Sequence, residues 1–87
     1  MAKPALVTCT VDAATKVITN KTDGVIQVED SSGVGYWQTY VPTGDPAPTA
    51  RSEFQNFLGD QMELTSPVAV DVYIWCSGST GSVWVSV

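Results

Sequence analysis

The chain has 87 residues, 44% of them hydrophobic and 15% charged, with four Lys or Arg against nine Asp or Glu and a net charge of −5. That is enough chain for a single domain, residues 1–87, with one modest core, and too little for a deep catalytic cleft. Without clustered cations, direct nucleic-acid binding and attachment to an anionic membrane are both disfavoured.

The absences narrow the chemistry further. There is no histidine, which removes Ser-His-Asp and Cys-His catalysis and mixed Cys/His zinc sites. Gly33-Val34-Gly35 is followed by Gln38 where a dinucleotide fingerprint needs its third glycine, and Gly78-Ser79-Thr80-Gly81 has no following Lys. The expectation is a protein that is not an enzyme and carries no cofactor and no metal. No apolar run approaches the roughly 18 residues of a membrane span. Met1-Ala2-Lys3-Pro4 leads directly into an alternating stretch with no leader-like apolar core. Synthesis in the cytoplasm without a signal peptide is expected, with later incorporation into a virion compatible with that.

In chain order, residues 5–11 alternate, with Val7, Cys9 and Val11 on one side and Thr8 and Thr10 on the other, the period-two mark of a half-buried strand. β-branched residues then mark a second strand over 15–19, and Asn20 to Gly24 reads as a turn. Val25–Glu29 is a third strand, 31–35 a loop and 36–41 an aromatic fourth strand, so the first half reads as a meander. Residues 42–50 contain Pro42, Pro46 and Pro48 and form a stiff surface loop.

Phe54, Phe57 and Leu58 stand at helical spacing, with Ser52 and Gln55 as a capping box and Gly59 as a stop. They predict a short helix over 51–58 whose aromatic face covers one side of the sheet, with Met62 and Leu64 extending the contact before Pro67. Residues 68–76 are the clearest strand, and 83–87 form a hairpin with it through the Ser77–Ser82 turn. The fold class is therefore mainly β: a small antiparallel sandwich or open barrel of about six strands with one short helix.

Three surfaces are candidates for function. The first is for assembly: Pro42, Pro46 and Pro48 in the loop, and Trp84, Val85 and Val87 in a terminal strand with no charged gatekeeper. The second is an aromatic face of Tyr36, Tyr40, Tyr73 and Trp75, where flat rings beside Asp71 suit sugar stacking. The third is acidic, requiring Asp23, Glu29, Asp30, Asp60 and Glu63 to gather on one side. Cys9 and Cys76 are expected as buried thiols, with a disulfide feasible where their strands are neighbours.

The leading expectation is a non-catalytic structural or assembly protein, such as a small capsid-decoration, cement or tail component. Its partner is protein, either further copies in a homo-oligomer or a larger particle. The alternatives are a ligand- or carbohydrate-binding β module and a small acidic inhibitor of a host nucleic-acid-binding enzyme.

Overall fold

The computed structural model describes residues 4–29, 33–57 and 59–87. Six strands form one antiparallel sheet: β1 (Ala5–Cys9), β2 (Ala14–Val28), β3 (Gly35–Pro42), β4 (Gln55–Asn56), β5 (Gln61–Ser77) and β6 (Gly81–Ser86), ordered β1-β6-β2-β5-β3-β4. The smallest Cα extent is 19 Å. This suits a sheet folded into two layers, which pack about 10 Å apart.

β2 and β5, of 15 and 17 residues, run through both layers. The expected turn at Asn20–Gly24 does not end a strand. It becomes a series of register shifts between Lys16 and Asp23, with Asn20 at φ 56°. Lys21 faces Val70 and Asp23 faces Thr65, so 66–69 loop past a single β2 residue. Pro67 falls inside this break, where its missing N–H costs no ladder bond. A turn-like composition thus makes a bulge, because β5 continues opposite on both sides of it.

The expected hairpin of 68–76 with 83–87 does not form either. After Ser77 the chain crosses to the other layer, where β6 pairs with β1 on one side and β2 on the other. The early strands are accordingly not a meander, since β6 lies between β1 and β2. The terminal strand is therefore central. The edges of the sheet are β1 and β4.

The expected helix over 51–58 is also replaced. Arg51–Glu53 makes one 3-10 turn, held by the Glu53 carboxylate accepting from the Thr49 N–H at 2.7 Å and the Ala50 N–H at 3.2 Å. Phe54 is then extended, and β4 pairs with Trp37 and Gln38 of β3. Extended backbone sends Phe54 and Phe57 to opposite sides. Phe54 is buried against Trp75, while Phe57 packs on the core. The covering role expected of Phe54 is present without the helix. Leu58 lies outside the described residues.

One core fills the space between the layers. Its centre is Ile26, Leu64, Val70, Val72, Ile74, Val83 and Val85, with Cys9 and Cys76. Tyr36 crosses it from β3, and its hydroxyl accepts from the Ser82 N–H at 3.3 Å. Gly81 leaves the room for this, since a Cβ there would stand 2.7 Å from the Tyr36 Cζ. Gly81→Ala is therefore expected to destabilise the fold by about 1–3 kcal/mol, read as a lower urea midpoint at unchanged m-value.

Candidate functional site

The first candidate, the aromatic face, is a covered one. Along β5, Val70, Val72, Ile74 and Cys76 face the core, and Asp71, Tyr73 and Trp75 face away from it. Pro48 and Phe54 of the 43–54 segment are buried, and Phe54 lies on Trp75 with ring centroids 5.6 Å apart. Arg51 stands 5.2 Å from the centroid of Trp37, and Lys16 stands 5.8 Å from that of Tyr73. These are cation–π distances, so each cation lies over an aromatic ring.

Tyr36 and Tyr73 are buried, Trp75 is half-buried and Tyr40 alone is exposed, at 54%. The four rings therefore make no shared open platform. The Pro-rich loop folds back on the sheet: Pro42 and Pro46 remain exposed while Pro48 is packed.

Asp71 ties this region together. Its carboxylate is 4% exposed and accepts from the Asn20 N–H at 2.9 Å and the Thr43 hydroxyl at 3.0 Å, with Lys16 Nζ at 3.5 Å. It thus joins the β2 bulge, the start of the loop and β5. The Asn20 N–H, the Thr43 hydroxyl and the Lys16 charge hold its pKa below the ordinary carboxylate value, against burial, which pushes the other way.

The second candidate lies on the outer side of the other layer. Leu6 of β1 is directly opposite Trp84 of β6, and Trp84 is opposite Gln27 of β2. Leu6 is 47% exposed and Trp84 38%. Beside them runs a groove of about 450 Å³ lined by Pro4, Val25, Gln27, Trp84 and Ser86. Val87, 42% exposed, borders a second groove with Asp23 and Glu63. Val85 points the other way, into the core, and is not available as a contact. A third, smaller hollow of about 240 Å³ is lined by Gln38, Gln55, Asn56, Phe57, Gln61 and Met62.

β1 adds an open backbone edge to the Leu6–Trp84 surface. Among the described residues it pairs only with β6 over Ala5–Cys9, which leaves half of its N–H and C=O groups pointing outward. The segment 4–11 carries no charge. Charged or prolyl residues are the usual means of blunting such an edge; here Pro4 stands just before β1, and Ala5–Cys9 contains neither. The opposite edge, β4, is two polar residues long.

The acidic candidate is spread along one strand pair. Asp23 and Glu63 flank one groove, and Glu29 and Asp60 follow a few residues on, next to Val28 and Gln61 of the same strands. Asp30 lies outside the described residues. Among the described residues, no group of three or more His, Cys, Asp or Glu could hold a metal ion, and no helix is long and apolar enough to cross a membrane.

Nothing in the sequence signalled that β1 would be the edge. That depends on where β6 inserts, a long-range pairing with no local signature.

The Asp71 contacts give a pH prediction. A carboxylate whose folded pKa is depressed stabilises the fold above its unfolded pKa, about 3.9, and loses that contribution as pH falls towards the folded value. Wild-type thermal stability should therefore drop as pH goes below about 4. Asp71→Asn should be less stable at neutral pH and lose less on acidification. Circular-dichroism melts of both proteins across pH check this.

Compared with known protein families, with characterised proteins and with solved structures, the chain matches none, and its role has to be read from its own surface.

Proposed function

We propose that this chain is a non-catalytic assembly protein that joins to another protein surface by strand addition at β1, with a second copy of itself as the first partner. The observation that carries this reading is the uncharged, singly paired strand β1 lying beside the exposed Leu6 and Trp84. An unpaired apolar edge is a template for another strand.

The difference between the two edges favours a closed pair over a fibre. Adding β1 of one copy to β4 of the next would give a ladder of only two residues. Antiparallel pairing of β1 with β1 of a second copy uses the same patch twice and closes on a two-fold axis. The net charge of −5 opposes association. The edge itself is uncharged, so the repulsion acts at longer range, where salt screens it.

The same edge serves docking on a larger protein particle. Small size, few charges and a Thr-rich surface support a virion setting, as a decoration, cement or tail component. The carbohydrate-binding alternative loses support because Tyr36 and Tyr73 are buried and Phe54 lies on Trp75. The acidic-inhibitor alternative has less support, because among the described residues only Asp23 and Glu63 of these acids share a groove.

Leu6→Lys tests the reading, because Leu6 faces solvent and its replacement leaves the core intact. Light scattering on size-exclusion chromatography at rising concentration should show a concentration-dependent dimer for the wild type. Leu6→Lys should weaken the dimer at least about tenfold, a loss of about 1.4 kcal/mol, with an unchanged melting temperature when measured dilute. A wild type that stays monomeric at every concentration, or a variant that dimerises as well as the wild type, would sink the self-association.

A further inference from the structure

Cys9 and Cys76 are both free and both fully buried in the core. They come from opposite ends of the chain, yet the fold joins their surroundings. Two residues after Cys9, Val11 forms a parallel bridge with Cys76, and the Asp12 N–H donates to the Cys76 carbonyl at 2.7 Å. Both side chains belong to one buried cluster, and Gly81, which pairs with Cys9, packs on the ring of Tyr36, which pairs with Cys76. Neither the strand edge nor the Asp71 cluster uses this pair.

We infer that Cys9 and Cys76 form an intrachain disulfide site, closed by exchange with a small-molecule disulfide such as oxidised glutathione when the protein meets an oxidising environment. Cys76 is the attacking sulfur, since the neighbouring Cys9 thiol and the Gly81 N–H hold its pKa below the ordinary thiol value, against burial, which raises it. The Cys76 thiolate attacks one sulfur of glutathione disulfide and breaks its S–S bond, and one glutathione thiolate leaves. Cys9 then gives up its proton and attacks the Cys76 sulfur of the mixed disulfide, expelling the second glutathione. Two cysteine thiols are oxidised, and one glutathione disulfide is reduced to two thiols.

Access comes from β1, which among the described residues is paired on one side only. Edge strands open at lower free energy than the core, and opening β1 uncovers both sulfurs together. Reclosure brings Cys9 back onto Cys76, which favours the intrachain bond over a retained adduct. The bond would also clamp the strand that carries the assembly edge onto β5.

The test uses the full chain, native and reduced, incubated with oxidised glutathione, then denatured, alkylated and weighed by intact-mass spectrometry. The expected product has lost two hydrogens, takes up no alkylating agent and carries no glutathione. Closing so long a loop should raise the melting temperature by at least about 10 °C, reversed by a reductant. Cys9→Ser should keep one glutathione on Cys76. Two alkylated thiols after incubation, glutathione retained on the wild type, or covalent dimers would each overturn the assignment. The wild-type mass decides this whether or not the variant folds, and it is independent of whether the protein dimerises through β1.

Discussion

β2 and β5 stay hydrogen-bonded along most of their length, and the pairing breaks just enough to turn the sheet back on itself. Thr19 and Asn20 of β2 face only Asp71 of β5, and Thr22 faces the loop of 66–69. Asp71 fills the break at Thr19–Asn20: its carboxylate accepts the N–H of Asn20. Removing that acceptor would leave the Asn20 N–H at the bend without its partner. The same carboxylate takes the Thr43 hydroxyl, so the bend of the sheet and the seat of the covering loop are fixed by one group.

The other features follow from that bend. Two strands that pass through both layers give the late chain a place to return, and β6 takes it, between β1 and β2. The 43–54 segment closes the outside of one layer through Pro48, Phe54 and Arg51. The outside of the other layer keeps Leu6 and Trp84 exposed, next to an edge with no charge. One layer is therefore finished by the chain itself, and the other presents what a second chain can finish. The assembly reading rests on that asymmetry.

Much of the fold was legible because it is written locally. The alternation of 68–76, with Val70, Val72, Ile74 and Cys76 on one side, sets the core face of β5. The buried state of Cys9 and Cys76 follows from the same alternation. Three features were hidden. Asn20–Gly24 has turn composition, but a bulge and a turn share residues that tolerate positive φ, and only the partner strand distinguishes them. The 51–58 spacing fits a helix, yet Phe54 is extended and packs at a tilt on Trp75, a tertiary override of a weak local preference. The position of Val83–Val87 was misleading, because its uncharged composition suits a central strand as well as an edge. Of the expected contacts, Trp84 and Val87 are exposed and Val85 is in the core. The edge itself had moved to β1.

The central claim is that β1 is where this protein meets a partner. Amide hydrogen exchange, followed residue by residue at low and high protein concentration, tests it most directly. The account predicts that amides on the outward side of Ala5–Cys9 exchange quickly when dilute and become protected when concentrated, while those of β2 and β5 stay protected throughout. Exchange in β1 that is independent of concentration, or protection appearing instead at β4 or the 42–50 loop, would contradict it.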